Sequence, residues 1–220
     1  MTRTVTKHEG AARYLPDGGG LAALRSAAAH CEGCDLYRNA TQTVFGAGRA
    51  TAKVCMVGEQ PGDIEDRRGE PFVGPAGRLL DGVLEDAGID RDAVYLTNAV
   101  KHFSFRLDER GKRRIHQRPR GGEVAACRPW LAGELRAVRP KLVVCLGATA
   151  AKAVLGPKFR LTDHRGELVP RPDTVGDDLP GNWSVLVTVH PSAVLRSTDR
   201  EQARRDLVAD LRPVAEFLAE

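Results

Sequence analysis

A chain of 220 residues, 42% hydrophobic and 28% charged, can close one sizeable core but is short for two full domains. Its longest oily run, LVVCLGA at 142–148, is far too short for a membrane span, and MTRTVTKHEG has no apolar stretch behind its basic residues, so an intracellular, non-membrane protein is expected. Five cysteines, an odd number with Cys55 and Cys145 inside strand-like runs, argue against a secreted disulfide framework. The net charge of +4 is unevenly placed: residues 106–120 alone hold seven Arg or Lys against Asp108 and Glu109, a local excess larger than that of the whole chain. Such a run is commonly a solvated loop, and it is also the electrostatic footprint of a phosphate backbone.

In chain order, GGG at 18–20 closes a mobile tail over 1–20, leaving 21–220 as a single domain. A flanking helix is predicted over 20–30. Apolar, β-branched runs follow at 53–58 (KVCMVG), 93–97 (AVYLT), 141–146 (KLVVCL) and 184–189 (SVLVTV), separated by helical stretches at 77–88, 122–138 and 148–156. RPDTVGDDLPGN at 171–182 reads as a surface excursion, and 199–218 as a closing helix. Nearly all-apolar strands alternating with helices predict a four-stranded parallel sheet covered on both faces. The strands run into GEQPGD, NAVKH, GATA and HPS, and in open α/β sheets such carboxyl-terminal segments converge on one site. GEQPGD lacks both the GxGxxG and the GxxxxGK[ST] patterns, which argues against a nucleotide cofactor.

Cys31 and Cys34 form a CxxC with no second CxxC to complete a zinc ribbon. Cys127 in a helix and His102 after the second strand are available to complete a quartet. Three thiolates and an imidazole suit zinc or an iron–sulfur cluster, and spacing does not separate the two. A redox pair with one core cysteine is the competing account.

The segments 58-GEQPGDIEDRRGEPFVGPAGRLL-80, 97-TNAVKH-102 and 190-HPSAVLR-196 resemble the uracil-DNA glycosylase superfamily, nearest to its iron–sulfur branch, and the KRRIH insertion at 112–116 resembles the UdgX type. The likeness runs from about Cys31 to the last helix. It implies a three-layer α/β/α sandwich, excision of uracil from DNA, and covalent retention of the DNA through the inserted histidine. It further implies a 4Fe-4S cluster on Cys31, Cys34, Cys127 and His102, with uracil-containing, single-stranded DNA as partner of a monomer.

Carried onto this chain, the resemblance implies a division of labour. An enzyme of this kind extrudes the nucleotide from the stack and reads its edge in a pocket. Phe72 would stack on the flipped ring, Asn98 would pair with O4 and N3–H, and Lys101 joins the same substrate-binding set. His190, assisted by Gln60, would stabilise charge on the departing base, while Glu59 or Asp63 would face the sugar cation. Ser192 would hold a phosphate, Leu195 and Arg196 would fill the gap left by flipping, and Lys112, Arg113 and Arg114 would attract phosphates. His116, on a loop over the pocket, would reach C1′ before water does. Its basic neighbours, Arg118 among them, disfavour the imidazolium, whereas Glu59 favours it; the sequence does not rank the two effects. Two alternatives stay open: a conventional glycosylase that turns over and releases abasic DNA, and a noncatalytic metal-bearing nucleic-acid binder.

Overall fold

The computed structural model describes residues 9–171, 179 and 181–219. Its main sheet is built from β1 (Val54–Gly58), β2 (Val94–Asn98), β5 (Leu142–Leu146), β6 (Leu168–Pro170) and β7 (Ser184–Thr188), in the spatial order β2-β1-β5-β7-β6. The four strands expected from the sequence are all present and pair in parallel. The sheet is nevertheless mixed, because the short β6 adds an antiparallel edge, Leu168 opposite Leu186.

Alternate residues of each parallel strand feed different cores, as the two-residue period of a strand requires. Val54, Met56, Val144 and Leu186 pack with α3 (Pro75–Asp86), α6 (Pro191–Arg196) and α7 (Arg200–Ala219). Cys55, Val57, Val143 and Val185 pack with α4 (Gly121–Val138) and α5 (Ala148–Leu155) on the other face. The result is an α/β/α sandwich. A third cluster joins α1 (Gly20–Ala28) to α4 through Leu24, Ala28, Phe45 and Trp130. Strand order reverses between β1 and β5, the topological switch point at which such sheets open a crevice.

Three local features differ from expectation. The basic segment is no open loop: β3 (Phe105–Leu107) and β4 (Arg114–His116) form an antiparallel hairpin with Phe105 opposite His116. Asp108 Oδ1 accepts the Lys112 and Arg113 amides at 2.8 and 3.1 Å and so closes its turn. A short helix, α2 (Asp63–Arg68), follows the β1 turn. Of the stretch expected as a tail, residues 1–8 lie outside the described residues, whereas the Gly10 amide donates to Gly33 and that of Ala11 to Ala126, with Ala11 buried. The excursion expected over 171–182 lies mainly outside the described residues. Among those described, no helix is long and apolar enough to cross a membrane.

Candidate active site

The crevice holds a cavity of about 1120 Å³ reached by the ends of β1, β2, β5 and β7. Glu59, Gln60, Phe72, Asn98, His116 and His190 all line it, so the convergence of strand ends predicted from sequence is realised in space. Phe72 is buried and sits at φ 59°, a conformation unfavourable for a bulky residue. Two contacts over-determine it. Gly77 of α3 leaves no room for a Cβ beneath the Phe72 carbonyl, and the Gly74 amide is fixed by the buried Glu65 carboxylate at 2.7 Å. Gly58, the last residue of β1, lies beside both Phe72 and Asn98: a Cβ there would overlap Asn98 Oδ1 and stand 2.7 Å from Phe72 Cζ. Gly58→Ala should therefore displace the two groups lining the base-sized part of the cavity. Whatever reaction the cavity supports is expected to slow on the order of 10²-fold, the usual consequence of a misplacement near 1 Å. Steady-state turnover measured alongside thermal melting checks this.

The hairpin delivers His116 to the same crevice. Gln60 is oriented by the Ser104 amide, which donates to Oε1 at 3.0 Å, so its Nε2 faces Ser104 O at 3.1 Å, Gln117 O at 2.9 Å and His116 Nε2 at 2.8 Å. An amide nitrogen has no lone pair to offer, so the ring nitrogen facing it is the acceptor and the neutral imidazole carries its proton on Nδ1. Glu59 Oε1 stands 3.5 Å from the same ring nitrogen, and its other oxygen accepts from Thr149. Burial, reinforced by the Arg196 cation and only partly opposed by Glu59, holds the imidazolium below the ordinary histidine range. The cation that matters is thus Arg196, across the crevice, rather than the basic residues of the hairpin itself.

Arg114 does not extend to solvent. Its guanidinium pairs with Asp63 and with the fully buried Asp66 of α2, the latter at 2.6 Å, and covers the Phe103 and Phe105 rings at 5.4 and 5.0 Å. Together the two aspartates keep Arg114 charged despite burial, and Arg67 and Arg114 hold the Asp63 carboxyl below its usual range against partial burial. Arg114, expected at a phosphate, clamps β4 to α2 through Asp63, which also lines the cavity. Lys112 and Arg113 are exposed at the hairpin turn.

At the end of β7, His190 Nδ1 accepts the Ser192 amide at 3.2 Å and meets Ser192 Oγ at 2.8 Å, which leaves the ring proton on Nε2. Burial takes its pKa down to about 4, so the ring is a neutral donor. Ser192 Oγ also accepts from Arg196 at 3.0 Å; the hydroxyl expected at a phosphate is engaged in orienting His190. Leu195 and Arg196 line the cavity mouth. Lys101 lies elsewhere, fully buried, with its ammonium 2.5 Å from Glu134, 2.6 Å from Thr97 Oγ1 and 2.8 Å from Asn98 O. It braces the backbone of the base-reading residue from beneath and does not line the cavity. Glu65, Asp66 and Thr149 escaped the sequence reading, although DIED directly after GEQPG is a dense run of acids beside a turn.

The metal expectation is corrected. Among the described residues no group of three or more His, Cys, Asp or Glu side chains stands together so as to hold a metal ion. The expected ligands have other uses: Cys31 Sγ accepts the Trp130 indole N–H at 3.2 Å and Cys127 Sγ the Lys101 amide at 3.2 Å. Burial raises the Cys34 thiol to about 11 and that of Cys127 to about 12, favouring the protonated form that does not ligate. Burial also lowers His102 to about 4, and its nearest influence is Asp66. The set does not fit a 4Fe-4S cluster, and no step below depends on one.

Comparison with known proteins agrees with the crevice. Residues 45–212 match the family described as the uracil DNA glycosylase superfamily. Similar proteins include a type-4 uracil-DNA glycosylase of Thermotoga maritima, 34% identical over 86% of this chain and 89% of its own, and one of Archaeoglobus fulgidus, 34% identical over 85% and 87%. A type-5 uracil-DNA glycosylase of Pyrobaculum aerophilum is 35% identical over 49% of this chain and 50% of its own. These relatives, with no metal-holding group among the described residues, replace the iron–sulfur assignment by a family-level one. From the Gly58 turn to the His190 segment, the residues that build the crevice fall inside the matched span, and the chain belongs to the uracil DNA glycosylase superfamily.

Proposed function

We propose that the protein excises uracil from DNA and is then captured by its own product, through a bond between His116 and the deoxyribose C1′. The carrying observation is His116 itself, a neutral imidazole held by Gln60 in the cavity that Glu59, Phe72, Asn98 and His190 also line. In this reading the flipped base stacks on Phe72, and Asn98 presents a donor to O4 and an acceptor to N3–H, a pattern that cytosine inverts. As the C1′–N1 bond breaks, its electron pair moves onto the base, and the Nε2–H of His190 stabilises charge at O2. Cation character at C1′ faces the Glu59 carboxylate. The Nε2 lone pair of His116 leaves its hydrogen bond with Gln60 and closes on C1′. The ring's Nδ1 proton leaves to solvent, which returns a proton to the uracil anion, and the charges balance.

Single-stranded DNA with one uracil, incubated with the protein and run on a denaturing gel, should give a slower band carrying both molecules. Uracil release with DNA migrating freely would select ordinary turnover. Salt-sensitive binding indifferent to uracil would select a noncatalytic binder.

A pH dependence follows. The nucleophile is the unprotonated ring, whose pKa lies below its ordinary 6.5 chiefly through burial. Capture should therefore have its acid midpoint below about 6.5, declining as the ring takes up a proton. Single-turnover capture rates across that range read this directly, and a midpoint above about 6.5 would contradict the neutral ring.

A further inference from the structure

Lys101 and Glu134 are oppositely charged side chains with no exposed surface, and neither lines the crevice. Taking two such charges out of water is costly, and apolar side chains of similar volume commonly stabilise a core as well or better. Stability therefore does not account for the pair, whereas its geometry does. All three ammonium protons are engaged, by Glu134 Oε2 at 2.5 Å, Thr97 Oγ1 at 2.6 Å and Asn98 O at 2.8 Å. The other carboxylate oxygen, Oε1, accepts from the Tyr95 hydroxyl and the Gly46 amide, each at 3.0 Å. Tyr95 and Thr97 belong to the edge strand β2 and Glu134 to α4, so the pair ties the end of that strand to the helix layer packed on it. Among the described residues no hydrogen bond holds the Asn98 side-chain amide, so its direction follows from packing and from the backbone, whose carbonyl the ammonium grips. The same turn reaches the catalytic end: the Ala99 amide donates to Gly58 O at 2.9 Å and that of Val100 to Glu59 O at 3.1 Å.

We propose that Lys101 and Glu134 are positioning residues for base selection. They hold Asn98 in register with the turn that bears Glu59, and so set the preference for uracil over cytosine. A buried polar network with every member satisfied is rigid, and it admits one arrangement where an apolar pair would fix only a volume. The proposal rests on the uracil-excision reading and deepens it by placing the source of selectivity beneath the edge strand, outside the cavity.

Binding separates position from chemistry. Single-stranded oligonucleotides carry 2′-fluoro-deoxyuridine or 2′-fluoro-deoxycytidine at the centre; the fluorine destabilises the sugar cation and stops cleavage, so dissociation constants read base recognition alone. The unsubstituted protein should prefer the uridine strand by about tenfold or more. Lys101→Met/Glu134→Leu removes both charges together and should bring that ratio to within about twofold of one, chiefly by weakening the uridine strand, since a well-placed hydrogen bond is worth on the order of tenfold. Thr97→Val removes only the hydroxyl beside the ammonium and should move the ratio the same way, which keeps the test valid should the double variant fold poorly. Val214→Ala, in the core on the opposite face of the sheet, should lower the melting temperature and leave the ratio unchanged. An unchanged ratio in either folded variant, or an equal fall in Val214→Ala, overturns the positioning role alone. Equal binding of both strands by the unsubstituted protein would mean that Asn98 does not read the base, and the positioning role falls with it. Failure of the unsubstituted protein to release uracil from the unfluorinated strand overturns the excision reading itself.

Discussion

His116→Ser should abolish the slow protein–DNA band while uracil continues to appear, now with free abasic DNA and more than one uracil per protein molecule. The ring is half-exposed, with one tilted contact to the buried Phe103 at 6.0 Å between centroids, so its removal should leave the fold intact. What disappears is a nucleophile held beside the anomeric carbon. Such placement makes the attack effectively unimolecular, and its loss should reduce capture by about 10³-fold or more. The serine side chain is shorter, and a hydroxyl without a positioned base is a poor nucleophile. Water entering the vacated space, beside Glu59 Oε1 and the Gln60 amide, then takes the sugar cation instead. The measurement is a denaturing gel run with a uracil-release assay on the same samples. Persistence of the band would assign capture to another residue, and loss of uracil release as well would place His116 in the first step.

The architecture was legible because it depends on patterns with short periods. The four parallel strands fall within about one residue of the apolar runs that predict them, since burial on both faces leaves no polar positions to blur the signal. The convergence of GEQPGD, NAVKH and HPS on one crevice was readable for the same reason: it follows from where parallel strands end. Less legible was whatever depends on a partner distant in the chain. Arg114 reads as one cation among several, and only the proximity of Asp63 and Asp66, about fifty residues earlier, turns it from a phosphate contact into a clamp. Lys101 likewise reads as a site residue until Glu134, across the fold, is seen to bury it. Cys31, Cys34, His102 and Cys127 carried a ligand-like spacing, yet apolar packing, the Trp130 indole N–H and the Lys101 amide already engage the sulfurs of Cys31 and Cys127. The ranking of charge effects on His116 needed burial, a quantity that no local sequence window contains.

His190→Ala separates the two chemical steps from the opposite direction. Here uracil release and DNA capture should fall together, each by about 10²–10³-fold, which corresponds to the loss of one preorganised donor to a developing oxyanion. The structure supplies the preorganisation: Ser192 occupies Nδ1 by amide and hydroxyl, so the remaining Nε2–H is fixed before substrate arrives. Burial keeps the ring neutral, with a pKa of about 4, so the donor is present without a charged imidazolium beside His116. In the proposed mechanism capture needs the sugar cation, and the cation needs the base to leave, so a defect in the first step should appear undiminished in the second. Single-turnover rates of both events, measured on one oligonucleotide, decide the matter. If capture falls while release holds, His190 acts on the attack by His116 and not on departure of the base, and its assignment as the donor at O2 fails.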